Sequence, residues 1–352
     1  MPPTDADFQA AIAHFREAAS VVLTTHVAPD ADGLGSVSAL VRWLRRRGKR
    51  AEVVLPTVPP EKYAFLADEE TFRVAGRDVD PAALTGVDLV AVLDTSTWPQ
   101  LEGVEPLLKD LGAPVLVIDH HRTHNHLADV EIIDPEAPAT AVLVHRLLVL
   151  AGAEIDAATA SDLLVGLVGD TDWFRLPNVT PEVLHLAGDL VAAGARPWDL
   201  YARLNLTDAL PKLHLWGRAL ETLHTALDGQ VAVLHVTGEM FRQAEADPAD
   251  TEGLINVALR IRGVRVAVML TEAEDGEVRI SLRSVPGVDV LGVAERFGGG
   301  GHDRASGARA HGSLQEVESA VLDAVAEALA QAAPAPADEA GAPSPEGPAE
   351  NP

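Results

Sequence analysis

Four stretches in the first half of the chain are almost unbroken aliphatic runs of strand length: VVLTTH (21–26), AEVVLP (51–56), VDLVAVLDT (87–95) and PVLVIDHH (114–121). Each is bounded by turn residues or charge. Between the first two the rhythm changes. In GLGSVSALVRWLRRRG (33–48), Leu34, Val37, Leu40, Val41 and Leu44 recur at three- and four-residue spacing, which predicts a helix with one buried face. Further helices are expected over 139–150, 157–167 and 181–193. The last has Thr180 as N-cap and Pro181 at its first position. Strands that are apolar on both faces belong in a parallel sheet covered by helices on both sides. Residues 1–193 are therefore expected to form an α/β domain of that kind.

A helical connector is expected over 194–220. After Gly229 a second pattern begins. QVAVLHVT and VRVAVMLTEAEDGEVRISLRS predict strands, the latter a hairpin turning at Glu274–Gly276. Helices fit 252–261, 289–297 and 314–331. Residues 221–331 thus predict a smaller α+β domain. The tail 332–352 is rich in Pro, Ala and acid, cannot bury a core, and is expected to be disordered.

Composition narrows the classes. The 352 residues are 47% hydrophobic, enough for two packed domains. There is no Cys, so disulfides and zinc–thiolate sites are excluded, and a cytoplasmic location is the simpler expectation. The first residues lack the pattern of a secretory leader, and no uncharged apolar run reaches membrane-spanning length. A net charge of −26 repels long polyanions and argues against long duplex nucleic acid as a partner. Small anionic substrates stay open, because bound cations can reverse the local field.

The chemistry lies where the apolar runs end. HVAPDADGLGS offers His26, Asp30 and Asp32. LDTS offers Asp94. IDHH offers Asp119, His120 and His121, and GLVGDTDWF offers Asp170 after an apolar helical stretch. Taken alone, each has an ordinary structural explanation: Asp32 as a helix cap, any other Asp as a turn residue, a His as core or surface. Four clusters at element ends are harder to explain that way, because the carboxyl ends of parallel strands are where ligands bind. Carboxylates and imidazoles without thiolate suit Mn²⁺, Mg²⁺, Fe²⁺ or Co²⁺. Two such cations about 3.5–4 Å apart form a clamp for hydrolysing phosphate esters.

These four motifs, in this order, resemble those of the DHH phosphoesterase superfamily. RISLRS and RFGGGGHDRASGAR resemble the DHH-associated domain that often follows, so the likeness spans roughly residues 15–330. It implies that His26, Asp30 and Asp94 hold one metal. Asp32, Asp94, His120 and Asp170 hold the other, with Asp94 bridging and two Mn²⁺ (or Mg²⁺ or Co²⁺) per site. It further implies that His121 contacts the scissile phosphate or protonates the leaving oxygen, and that Asp119 orients His120 or His121. Size and motif wording are most similar to the NrnA-like branch of nanoRNases and pAp phosphatases. That branch implies short RNA and 3′-phosphoadenosine 5′-phosphate (pAp) as substrates. A homodimer is compatible with such a chain. A dinucleotide phosphodiesterase, a small RecJ-like exonuclease and a catalytically silent nucleotide-binding regulator are the competing readings.

In the second domain the resemblance makes Arg283 a grip for a terminal phosphate, a gauge of substrate length. Glycines 298–301 expose backbone N–H groups, so Gly299, Gly300, Gly301, His302 and Ser306 are expected at an anion site rather than in a plain flexible turn. Residues 255–312 hold eight Arg against seven acids, a net of +1 in an otherwise acidic chain. The basic stretch RWLRRRGKR (42–50) is expected as a solvated helix end rather than an RNA patch. Trp173 and Phe174 suit core packing at least as well as base stacking. His124 and His126 are expected as loop residues near the site. RTHNHL after the DHH motif and Val142 after Thr140 depart from the family pattern and bear on substrate preference.

Overall fold

The computed structural model describes residues 2–66, 72–273 and 276–332. They fold as two compact units that divide between Thr207 and Asp208.

The first unit runs α1 (Asp5–Glu17), β1 (Ser20–Thr24), α2 (Ala31–Arg46), β2 (Arg50–Leu55), β3 (Phe72–Val74), β4 (Leu89–Leu93), α3 (Glu105–Lys109), β5 (Val115–Asp119), β6 (Val130–Ile133), α4 (Thr140–Leu150), α5 (Ala157–Asp170), α6 (Pro181–Ala192) and α7 (Pro197–Asn205). Its six strands form one sheet in the order β3-β2-β1-β4-β5-β6, every pair parallel. The unbroken aliphatic runs follow from this, because alternate residues serve different cores. Leu23, Leu89, Ala91 and Leu93 pack with α1, α2, α4 and α5. Val22, Val90, Val92 and Val117 pack on the other face against Leu101, Val104 and Leu107. Helix α1, absent from the sequence reading, buries Phe8, Ala11, Ile12 and Phe15 at helical spacing. The reading also lacks β3 and β6, short edge strands whose residues are mostly only part-buried.

Helices α2 and α5 approach closely across small residues. A Cβ added to Gly35 would lie 2.4 Å from the Asp162 carbonyl oxygen, and one on Gly169 would lie 2.5 Å from Ala31 Cβ. This seam brings the start of α2 against the end of α5.

The second unit runs α8 (Leu210–Leu220), β7 (His224–Ala226), β8 (Val231–Val236), α9 (Gly238–Ala244), α10 (Leu254–Ala258), β9 (Val266–Glu272), β10 (Glu277–Ser284), α11 (Leu291–Glu295), β11 (Gly300–His302), β12 (Ala305–His311) and α12 (Leu314–Gln331). Its sheet has the order β11-β12-β10-β9-β8-β7, mixed because β8 and β9 are parallel while the other pairs are antiparallel. One face packs on α12 through Val317, Val321 and Val325. On the other, Leu215, Leu254 and Ile255 cover β8 and β9, while Arg279, Gly307 and Arg309 on β10 and β12 stay exposed.

The expected connector 194–220 is two helices, one in each unit. Leu200 of α7 enters the first core and Leu215 of α8 enters the second. Helices expected over 252–261 and 289–297 shorten to α10 and α11. The hairpin is present, but residues 274 and 275 of its turn lie outside the described residues, as do 333–352 of the expected disordered tail. The basic stretch 42–50 is consumed internally. Arg42 pairs with Asp162, Arg46 with Asp156, and Lys49 donates to the Arg16 carbonyl. Among the described residues no helix is long and apolar enough to cross a membrane.

Candidate active site

The order of the first sheet reverses at β1. The chain steps to β2 on one side and returns on the other as β4, so the ends of β1 and β4 flank a crevice. His26 follows β1 by two residues, Asp94 follows β4 directly, and Asp119 closes β5. Asp94 adopts a left-handed backbone (φ 63°), a strained conformation for a non-glycine residue. Its N–H still donates to the Ile118 carbonyl at 2.9 Å, so the turn is held on the sheet while the side chain is re-aimed.

The N-cap of α2 is Asp30, whose Oδ1 accepts from the N–H groups of Asp32 and Gly33 at 3.0 and 3.1 Å. Asp32 is therefore not the cap. It lies inside α2, fully buried, and reaches the first turn of α4, where it accepts from the N–H groups of Thr140 and Ala141. A helix N-terminus favours a carboxylate there. Gly166 makes room, since a Cβ at that position would lie 2.7 Å from Asp32 Oδ1. The Thr140 hydroxyl donates to Asp94 Oδ1 at 2.9 Å, tying two of the acids to one helix end. Asp170, the last residue of α5, completes the set.

The side chains meet around Asp94. His26 Nε2 lies 3.5 Å from Asp30 Oδ1 and 3.6 Å from Asp94 Oδ2. His120 Nε2 lies 3.0 Å from Asp170 Oδ2, 3.5 Å from Asp94 Oδ1 and 3.9 Å from Asp32 Oδ2. Each ring is oriented through its other nitrogen, His26 Nδ1 by the Val27 carbonyl at 2.8 Å and His120 Nδ1 by the Ala137 carbonyl at 3.1 Å. This is the arrangement found behind metal-ligating histidines. His26–Asp30–Asp94, Asp32–His120–Asp170 and Asp94–His120–His121 each offer ligand atoms within 4.8 Å of one another.

The electrostatics ask for positive charge. Burial pushes the Asp32 and Asp94 carboxyls up, and neighbouring acids push them further. Burial works against the charged imidazoles. Even so, Asp30 and Asp94 raise His26 to about 11, and Asp170, Asp32 and Asp94 raise His120 to about 10. In the metal-free protein, protons supply what the acids lack. His120 Nε2 is buried and faces Asp170 Oδ2 at 3.0 Å without the geometry of a hydrogen bond, so a cation that displaces its proton would find the nitrogen already aimed at three carboxylates. The all-oxygen-and-nitrogen donor set fits divalent metals of the Mn²⁺ and Mg²⁺ kind.

His121 is built differently. Its Nδ1 lies 2.7 Å from Asp119 Oδ1, and Asp119 Oδ2 accepts from the Ser96 hydroxyl at 2.6 Å. Burial alone would raise Asp119, but these bonds hold it below the usual carboxylate range. The Asp119 hydrogen bond raises His121 in turn. Ser96 and Thr140 are the polar partners that sequence reasoning did not assign. Their hydroxyls serve side chains distant in sequence, and no local pattern marks that. His124 and His126 are exposed, and His126 pairs with Glu131 at 3.1 Å. Trp173 and Phe174 pack half-buried against the first core.

In the second unit, Arg283, Gly299 and Ser306 line a cavity of about 800 Å³. The glycine stretch is not a loop. Gly300, Gly301 and His302 form β11, paired with β12. The close approach it permits is to that strand, since a Cβ on Gly299 would lie 2.1 Å from the Gly307 carbonyl oxygen. The side chain of His302 lies outside what the structure describes.

Comparison with known proteins gives the family and the fold. Residues 20–167 match the DHH family, N-terminal domain, and residues 228–331 match the DHHA1 domain. The bifunctional oligoribonuclease and PAP phosphatase NrnA of Thermus thermophilus is 35% identical over 313 residues, covering 89% of this chain and 91% of that protein. Its namesake from Bacillus subtilis is 26% identical, covering 86% and 93%. An exopolyphosphatase-related protein of Bacteroides fragilis shares the fold with a TM-score of 0.87 at 24% identity, covering 92% of this chain and 96% of that one.

Proposed function

Because this chain belongs to the DHH family, we propose that it is a metal-dependent phosphoesterase that degrades very short RNA from one end and also dephosphorylates pAp. The curated relatives named above carry both activities in their names. The observation that carries the reading is the buried His120 Nε2 facing the carboxylates of Asp94, Asp170 and Asp32, beside a second group formed by His26, Asp30 and Asp94.

Two divalent cations, Mn²⁺ in our reading, would be held by these two groups, with Asp94 shared. When bound they polarise the phosphoryl oxygens and activate water. The chain's own residues do the rest. Asp119 takes the Nδ1 proton of His121 in a hydrogen bond, so the opposite nitrogen, Nε2, carries the proton offered to the leaving oxygen. Asp30 and Asp32 are themselves held by backbone N–H groups, which fixes the ligand shell before any metal arrives. Arg283 grips a substrate phosphate through its guanidinium. The net charge of −26 supports rejection of long duplexes.

The test uses purified protein with Mn²⁺ and pAp. Asp94→Ala removes the shared ligand and is expected to abolish turnover, as is chelation of the metal. Turnover that survives either treatment would refute the two-metal reading.

A further inference from the structure

The open face of the second sheet carries more arginines than its own carboxylates pair. Thr271 on β9, Arg279 on β10 and Arg309 on β12 are register partners, a single row across three strands. Like charges directly opposite one another destabilise a sheet, yet Arg279 faces Arg309. Arg309 has Glu277 at 3.3 Å, whereas Arg279 has no hydrogen-bond or ion-pair partner among the described residues. Burial and the charge of Arg279 both push the Arg283 guanidinium down. The floor between the two arginines of β10 is bare, with Ser281 opposite Gly307 and Arg283 opposite Ala305.

Two cavities meet at this row. The first, of about 800 Å³, runs from Arg283 and Ser306 to Arg279 and Arg309. The second, of about 700 Å³, shares Arg279 and Arg309 and continues to Phe241, Ala246, Pro248 and Thr271. Its wall joins Phe241, Ala246 and Pro248 to the charged Arg242, Glu272 and Glu277, and its volume lies within the range of small-molecule sites. It also holds an unsatisfied polar group. The Thr271 hydroxyl is buried without a hydrogen-bond partner. Cations on a bare floor, then a chamber with an apolar side and one unused hydroxyl, match a phosphate followed by a nucleoside.

We propose that this face binds the RNA strand beyond the phosphate held by Arg283, which is then an internal phosphate in an oligonucleotide and the terminal one in pAp. Arg279 and Arg309 take a further phosphate, and the chamber of Phe241, Pro248 and Thr271 takes the next nucleoside. Arg279 and Arg283 are four residues apart on one strand, about 13 Å, so the two contacts engage different phosphates. The inference rests on the functional reading above and adds to it. Oligonucleotides use this track, and pAp, whose two phosphates are the one cleaved and the one Arg283 holds, does not.

The experiment compares kcat/KM for a 5′-phosphorylated five-nucleotide RNA and for pAp, with Mn²⁺, in the native protein, Arg279→Ala, Arg309→Ala and Thr271→Val. For each arginine variant the RNA value is expected to fall about 10- to 100-fold relative to the pAp value, the range of a lost charge-assisted hydrogen bond. Thr271→Val is expected to lower the RNA value about 3- to 10-fold. The thermal midpoint of Arg279→Ala should hold or rise, since it relieves a repulsion. An active native protein whose variants lose nothing on RNA, or lose equally on both substrates, overturns the track alone. A native protein inactive on both substrates overturns the functional reading and the track with it.

Discussion

Asp94 takes part in two of the three groups of ligand atoms, and its left-handed backbone is the strain that aims it there. Its neighbours at the start of α2 are single residues with divided duties. Asp30 caps a helix and faces His26. Asp32 satisfies two N–H groups of α4 and faces His120. Asp119 belongs to none of the groups of ligand atoms but sets the charge on His121. Because Asp119 raises His121, the protonated imidazole persists to higher pH, and the rate should fall as pH rises through that raised value. Asp119→Asn is expected to lower kcat and to move this alkaline limb of the kcat/KM profile to lower pH. A limb that stays in place would exclude His121 as the proton donor. The charged residues of the site were legible in the sequence because each stands at the end of an apolar run. Ser96 and Thr140 were not, since a hydroxyl bonded across 23 or 46 residues leaves no local trace.

The seam between α2 and α5 keeps the site together. Gly35, Gly166 and Gly169 allow the approach, and Asp162 with Arg42 closes its far end at 2.6 Å. Burial pushes the Asp162 carboxyl up to about 7 in spite of Arg42. The sign follows from linkage. Between its ordinary value near 4 and about 7, the folded state binds the proton and the unfolded chain does not, so this group's contribution to stability falls as pH rises. The urea midpoint of the native protein is expected to drop more between pH 5 and 8 than that of Asp162→Asn. Parallel curves would show that Asp162 is ionised throughout. The α2 pattern was plain from its five aliphatics. The pairing with α5 was not, because glycines at a helix contact look like ordinary weak helix positions in sequence.

Both folded units carry marks of a chain selected for small anions. The first gathers acids that call for divalent cations. The second keeps its arginines on an open sheet face within a chain of −26. The parallel sheet was legible from its four aliphatic runs. The order of strands in the second unit was not, since β11 and β12 are rich in glycine and alanine and lack strand periodicity. The same poverty of side chains hid the row Thr271–Arg279–Arg309, which exists only in the register of three strands. The most direct test of the whole account is a comparison of kcat/KM, with Mn²⁺, for pAp, pApA, a five-nucleotide RNA, a twenty-nucleotide single-stranded DNA and cyclic di-AMP. The account predicts rapid turnover of the first three and little of the last two. Preference for the long DNA or for the cyclic dinucleotide would contradict it.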